Sequence, residues 1–367
     1  MSETSILFSP IALGGVTVPN RFVRSATQDY MASETGEATD RQVELYSRLA
    51  EGEVGLIISG HAYVRKEGQA SPRQLAVSDD RYVGGLGRLA AAVHRFPSRV
   101  FLQIAHAGRQ TKESLCRCTP VSASAVYDPV SKVMPRELGA GEVEALVTAF
   151  VQAARRAREA GFDGVQLHVA HGYLLSSFLS PHTNRRTDEW GGPLENRARV
   201  VVEAVAGIRS LLGPAFPVII KLNSTDFLEG GLTLDESVRA AVLFEGAGVD
   251  GVEVSGGMAE AGRGSIWPGL RKPADEGYFV EAAARVRAAV NVPVIGLGGI
   301  RTLAVAEKMV ADGRVDLVSM SRPFIRDPFL VRSFREGRLA TAECISCNKC
   351  HDPRGIGCGE LKVKAPI

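Results

Sequence analysis

Gln166-Leu167-His168-Val169-Ala170-His171-Gly172-Tyr173-Leu174-Leu175-Ser176-Ser177-Phe178-Leu179-Ser180-Pro181 is the stretch on which the reading of this chain turns. Apolar positions up to Leu167 read as a buried strand. Beyond it, a His-x-x-His-x-Tyr spacing falls on irregular backbone, where side chains converge on a point instead of alternating across a sheet. Two imidazoles and a phenol so placed can grip an oxygen and deliver a proton. A lone histidine here would read as a hydrogen-bonded core residue. Three polar groups so close together, followed by the polar run Thr183 to Trp190, read as a site.

Working outward, short β-branched apolar runs alternate with Ala-rich helical stretches. Eight runs read as strands: Phe22 to Thr27, Val54 to Ser59, Val100 to Ala105, Gly164 to His168, Val218 to Leu222, Gly251 to Ser255, Val294 to Leu297 and Asp316 to Met320. Helical patterns lie between and around them, over Ala38 to Glu51, Asp80 to Arg95, Gly141 to Ala160, Leu194 to Leu212, Thr233 to Gly246, Tyr278 to Val290 and Leu303 to Ala311. Eight strand-helix units in about 320 residues predict an α/β fold, a parallel eight-stranded (β/α)8 TIM barrel, since such barrels take about 250 residues plus insertions. The conspicuous polar residues follow or finish strands: Thr27, Gln103 with His106, His168 with His171 and Tyr173, Lys221, Ser255-Gly256-Gly257, Gly298-Gly299 and Arg322. In a barrel all of them reach the C-terminal mouth, so one convergent site is expected.

The last two strands suggest how a phosphate is held there. Gly296-Leu297-Gly298-Gly299-Ile300-Arg301 lets backbone amides approach an anion and opens a helix, whose N-terminus favours negative charge. Met320-Ser321-Arg322-Pro323 adds a second set of amides and a guanidinium. The glycine spacing is not that of a dinucleotide fingerprint.

Composition excludes several other classes. The 367 residues are 45% hydrophobic and 23% charged with a net charge of +2, which describes a soluble globular chain and gives no electrostatic case for nucleic acid or anionic lipid. Met1 to Pro10 has no basic region leading into an apolar stretch, and no segment reaches the length of a membrane span, so a cytoplasmic protein is expected. Four of the six cysteines crowd into the last 24 residues. A secreted disulfide scaffold would need more, and a metal or cluster is the natural reading of the crowding.

Several segments in order give the chain a resemblance to the Old Yellow Enzyme family of flavin-dependent ene-reductases, from about Phe8 to Leu330. Pro19-Asn20-Arg21-Phe22 leading to Ser25-Ala26-Thr27 resembles the family's first strand, and Gln103 to Arg109 its third. His168 to Pro181, Asn184 to Gly192 and Glu195-Asn196-Arg197 resemble its fourth strand and the loop beyond, and Gly298 to Arg301 with Ser321 to Pro328 its phosphate-binding end. The resemblance implies non-covalent FMN across the barrel mouth. Ser25, Ala26 and Thr27 would touch the reactive edge of the ring, and Gln103 would offer a donor and an acceptor to its pyrimidine edge. Lys221, where the family more often has Arg, would place a point charge near the carbonyl end. Gly298, Gly299, Ser321 and Arg322 would hold the phosphate. His168 and His171 would donate to the carbonyl oxygen of an enone or enoate-type substrate, and Tyr173 would supply the proton opposite the hydride. The implied cycle is ping-pong: NADH or NADPH reduces FMN and leaves, and an α,β-unsaturated carbonyl compound takes its place. With 37 residues after Leu330, no second nucleotide-binding domain is expected, so reducing equivalents would arrive by diffusion or from an electron-transfer partner. A homo-oligomer is compatible with the sequence.

The division expected is 1–335, an FMN-binding barrel, and 336–367, a Cys-rich tail. The tail resembles that of the family's iron-sulfur relatives, the dienoyl-CoA reductases and amine dehydrogenases. Cys344, Cys347, Cys350 and Cys358 give C-x2-C-x2-C-x7-C, a set able to wrap zinc or a 4Fe-4S cluster, although the relatives have longer second and third gaps. Cys116 and Cys118, one residue apart, read as exposed loop thiols. Two other functions fit parts of the pattern: a flavin dehydrogenase passing electrons to a C-terminal cluster, and a Schiff-base aldolase using Lys221 as nucleophile.

Overall fold

The computed structural model describes residues 5–262 and 264–362, so the first four residues of the expected barrel segment, Arg263, and the last five residues of the expected tail lie outside the described residues. Eight parallel strands form the centre: Phe22–Arg24 (β1), Leu56–Ile58 (β2), Arg99–Ala105 (β3), Gly164–Val169 (β4), Val218–Asn223 (β5), Gly251–Ser255 (β6), Val294–Gly296 (β7) and Leu317–Met320 (β8). Each pairs with the next, and β8 pairs with β1, Val318 opposite Phe22 and Met320 opposite Arg24, so the sheet closes on itself as the barrel expected. Around it run Asp40–Glu51 (α1), Val83–Val93 (α2), Ala140–Glu159 (α3), Leu194–Leu212 (α4), Leu234–Gly246 (α5), Val280–Arg287 (α6), Leu303–Ala311 (α7) and Leu330–Arg335 (α8).

Local sequence explains the elements. In α3, Val143, Leu146, Phe150, Ala153, Ala154 and Ala157 recur at three- and four-residue intervals and are the buried stripe against the sheet and α4. In α5, Thr233 accepts from the Glu236 amide while the Glu236 carboxylate accepts from the Thr233 amide, which satisfies two first-turn donors. Removing the Phe150 ring from the stripe costs about 3–5 kcal/mol, the ordinary penalty of a large core truncation.

Strand alternation divides the apolar residues into two cores. One lies between strands and helices, and holds Val100, Leu102, Val165, Leu167, Val252 and Val254 among others. The other fills the barrel, where Val23, Leu56, Phe101, Ile219, Ile295 and Leu317 meet Leu13 and Val18. Those last two residues belong to an N-terminal hairpin, Ile11–Leu13 with Val16–Val18, that plugs the bottom of the barrel and was not expected from the sequence. Two residues further along the same strands, in the same phase, stand Ser25, Gln103, Lys221 and Ser319. The barrel is therefore greasy below and polar just beneath its mouth.

Other elements also differ from the sequence reading. The backbone after His171 is not irregular for long: Leu174–Leu179 is a short helix with Tyr173 at its N-cap. Cys116 is buried and donates to the Cys118 carbonyl at 2.9 Å, whereas Cys118 is exposed, because Glu113–Cys116 folds as a helical turn that turns one thiol inward. The segment after α8 returns across the mouth. Ala342 donates to Arg301 O, the Arg301 guanidinium donates to Cys344 O at 2.7 Å, and Ile356 donates to Asp29 O. Among the described residues no helix is long and apolar enough to cross a membrane.

Candidate functional site

A cavity of about 510 Å³ opens at the C-terminal ends of the strands. Its floor holds Gln103, His168 and Lys221, one wall Ser25, Ala26 and Thr27, and the far end Gly298, Gly299, Ser321 and Arg322. His171 and Tyr173 stand above the floor. Residues singled out at seven different strand ends thus face one space, which is the consequence of closing the sheet; His106 and Gly256 do not line it, and the His106 ring is buried against Gly68.

The floor is a hydrogen-bonded layer. Gln103 donates from Nε2 to Gln166 Oε1 at 2.7 Å, and Gln166 Nε2 donates to Glu253 Oε2 at 2.9 Å. Lys221 Nζ donates to Ser25 Oγ at 2.7 Å and pairs with Glu253 Oε2 at 3.2 Å. The strand register accounts for this, since Lys221 is flanked by His168 on β4 and Glu253 on β6. Thr27 Oγ1 meets Ser321 Oγ at 2.7 Å, joining the first strand end to the last.

The imidazoles act as neutral groups. Burial, then the charges of His171, His61 and Lys221, hold His168 well below the usual histidine range. Burial followed by Lys221 lowers His171 to about 3 and His61 to about 4. At neutral pH the cavity therefore offers N–H donors rather than imidazolium charges. His171 has φ +64°, a left-handed turn that aims its ring, and Nε2 lies 2.8 Å from Ser255 Oγ. The Tyr173 ring centroid lies 4.6 Å from that of His168, and burial raises its phenol above the ordinary value.

His61 was missed by sequence reasoning. It follows β2, lines the cavity and places its ring 5.4 Å from Tyr173 and 6.3 Å from His168. Gln74 Nε2 lies 2.7 Å from its Nδ1. An amide nitrogen can only donate, so the neutral ring keeps its proton on Nε2. The available signal was its place directly after an apolar run, like the other site residues. Glu253 and Gln166 were also missed, since the phase of their strands shows which face is inward only once the sheet has closed.

At the far end, Gly298 has φ +129°, and a Cβ there would sit 2.7 Å from Tyr278 N and 2.9 Å from Phe279 N, so only glycine lets these backbones meet. The expectation that the following helix N-terminus is free for an anion is corrected. The helix begins at Leu303, and the Arg301 and Thr302 amides both donate to Glu276 Oε2 at 2.9 Å. The cradle is instead the glycine pair opposite Ser321 and Arg322. Arg322 is aimed by Nη1, which donates to Trp267 O at 2.8 Å and Asn348 Oδ1 at 2.6 Å.

Asn348 belongs to the cysteine-rich tail, and Cys350 reaches the cavity wall. Burial and then the neighbouring Cys344, Cys358 and Cys347 push the Cys350 thiol up to about 11. The four thiols are neighbours, yet among the described residues no three Cys, His, Asp or Glu side chains are placed to hold a metal ion. The expectation of zinc or iron-sulfur at Cys344, Cys347, Cys350 and Cys358 finds no support in this geometry.

Residues 6–340 match the model of the NADH:flavin oxidoreductase / NADH oxidase family. The chain is 39% identical over 363 residues to an NADH oxidase of Thermoanaerobacter brockii, covering 98% of this chain and 54% of that protein. It is 35% identical to an NADPH dehydrogenase of Geobacillus sp., covering 89% and 92%. Among solved structures it resembles the old yellow enzyme homologue from Zymomonas mobilis, with a TM-score of 0.82, 26% identity, and coverage of 98% and 99%. The chain spans about half the length of several curated relatives it matches.

Proposed function

The chain belongs to the NADH:flavin oxidoreductase / NADH oxidase family, and from that premise we propose that it is an FMN-dependent oxidoreductase that reduces the activated C=C bond of α,β-unsaturated carbonyl compounds with NADH or NADPH. The observation that carries this reading is the meeting of a His-His-Tyr set with a polar floor and a glycine-arginine cradle in one cavity. In this reading the barrel, 1–335, holds the cofactor, and within the tail, 336–367, the described stretch around Asn348 and Cys350 covers its phosphate end.

The cavity suits FMN on three counts. His168 Nδ1 is buried with no hydrogen-bond partner among the described residues, a deficit that a bound ring can fill. Gln103 has an acceptor and a second N–H left over after bonding Gln166, the pair a pyrimidine edge requires. The close backbone approach at Gly298 and the oriented Arg322 suit a phosphate at the other end. When bound, FMN supplies a two-electron carrier that takes hydride from a nicotinamide and gives it to an alkene.

The side chains do the rest. Lys221 and Gln103 would hold the ring, with Ser25, Ala26 and Thr27 at its edge and Ser321 in the phosphate cradle. His168 and His171 donate N–H bonds to the substrate carbonyl oxygen and stabilise the negative charge that grows there. Tyr173 keeps its phenolic proton until it passes to the carbon opposite the hydride. Nicotinamide and alkene use the same mouth in turn, which requires ping-pong kinetics.

Two other readings are less well supported. Electron transfer to a metal cluster lacks a metal-holding arrangement among the described residues. A Schiff-base lysine has to be an unprotonated amine, and the Lys221 ammonium is held beside the Glu253 carboxylate. The test is an anaerobic absorbance spectrum of the protein loaded with FMN. Flavin bands should bleach with NADPH or NADH and return with 2-cyclohexenone. Protein that takes up no FMN, and is trapped by borohydride with a carbonyl substrate, would overturn the reading in favour of Lys221.

A further inference from the structure

Glu253 is completely buried inside the barrel and belongs to none of the groups assigned above. Its two oxygens receive Ser25 Oγ and Ser319 Oγ at 2.7 Å each, Gln166 Nε2 at 2.9 Å and Lys221 Nζ at 3.2 Å. These four contacts use the four lone-pair directions of a carboxylate. The layer below is an apolar plug that packs without it. A buried ion pair is a poor way to gain stability, because taking both charges out of water offsets most of their attraction. A carboxylate in this position therefore calls for an explanation in the site above it.

Two consequences follow from the contacts. First, Gln166 commits its NH2 to Glu253, so its carbonyl faces Gln103 and accepts from Gln103 Nε2 at 2.7 Å. One carboxylate thus fixes, through an intermediate amide, which end of Gln103 is left for a ligand. Second, Lys221 is half of a pair with no net charge. A lone ammonium beneath a flavin favours the reduced, more negative cofactor, and a carboxylate 3.2 Å away offsets that preference.

We propose that Glu253 is a positioning residue that sets the reduction potential of the bound cofactor, by neutralising Lys221 and by fixing the amide orientation of Gln166 and Gln103. The inference rests on the flavin reading, and its test separates the two. FMN midpoint potentials are measured for the parent, Glu253→Gln, Lys221→Met and the double variant, together with FMN dissociation constants of the apo forms. Glu253→Gln, with the cation unopposed, is expected to favour reduced over oxidised FMN about tenfold more than the parent does, a shift of about 30 mV to more positive potential. Lys221→Met, with the carboxylate unopposed, is expected to shift by a similar amount to more negative potential. The double variant, again without net charge, is expected to return near the parent.

A merely structural role would weaken FMN binding in all three without this reversal of sign. Single shifts in the same direction, no shifts, or a double variant displaced as far as a single one would overturn the inference. Should one single variant fail to fold, the other single variant and the double variant still decide, because the single one has to shift and the double one has to return near the parent potential. A parent that binds no FMN would overturn the flavin reading and this inference with it. A parent that binds FMN without the opposed shifts overturns this inference alone.

Discussion

Replacing Tyr173 by Phe removes one hydroxyl and leaves the ring packed against His168 and His61, at centroid distances of 4.6 and 5.4 Å. Burial, and then Tyr30, hold the Tyr173 phenol above its ordinary value, so it keeps its proton at every working pH. The surrounding imidazoles are neutral and already serve as N–H donors, so none is a ready substitute acid. Loss of a positioned general acid slows the step it serves by about 10²–10⁴, or about 2.7–5.4 kcal/mol of barrier. Stopped-flow absorbance separates the half-reactions. Flavin bleaching by NADPH or NADH should stay within about twofold of the parent, and reoxidation by 2-cyclohexenone should fall at least about a hundredfold. In the parent, reoxidation should be flat from about pH 6 to 9, since a phenol with a raised pKa does not titrate there. Equal loss in both half-reactions, or unchanged reoxidation, would refute the role given to Tyr173.

Further outcomes follow from other contacts. Gly298→Ala forces a Cβ against Tyr278 N at φ +129°. It should cost about 1–3 kcal/mol in urea unfolding and weaken FMN binding in fluorescence titration, and an unchanged affinity would remove Gly298 from the cradle. Burial above all lowers His61 to about 4, and His106 and His171 to about 3 each, from the ordinary value of about 6.5 that the unfolded chain keeps. The unfolded chain therefore binds more protons below pH 6.5. The stability from keeping these rings neutral is full above that pH and is lost as pH falls toward 4, at about 1.4 kcal/mol per pH unit for each ring. Urea midpoints flat between pH 7 and 5 would contradict this. Gln74→Leu removes the donor at His61 Nδ1 and frees the ring tautomer. Two-dimensional nitrogen-proton spectra should show His61 changing from the Nε2–H form to a mixture, and an unchanged tautomer would mean that another group holds it.

Much of the cavity lining was legible in the sequence, because a parallel barrel sends every strand end to one mouth and the polar residues at those ends stand out against apolar runs. Thr27, Gln103, Lys221, Tyr173 and Arg322 stood out in this way and line the cavity, whereas Ser25 entered only through the family resemblance. Glu253 was not, since a single Glu in a five-residue strand reads equally well as a solvent-facing position until the phase of the strand is known. His61 was passed over because it stands alone after its strand, without the neighbouring polar groups that marked His168. The helix N-terminus after Gly299 was assigned to a ligand because nothing local in the sequence reveals that Glu276, 25 residues before Arg301, takes its amides.

Apolar periodicity and turn residues alone determined the number of strands, their parallel order, and the end of the barrel that carries the chemistry, because these depend on contacts within and between consecutive elements. Ring closure decided which side chains meet across the interior: Lys221 with Glu253 and Ser25, and Gln103 with Gln166. Folding of the tail back over the mouth put Asn348 on Arg322, 26 residues away in sequence. Those partnerships depend on stagger and curvature summed over the whole sheet, which no local segment encodes.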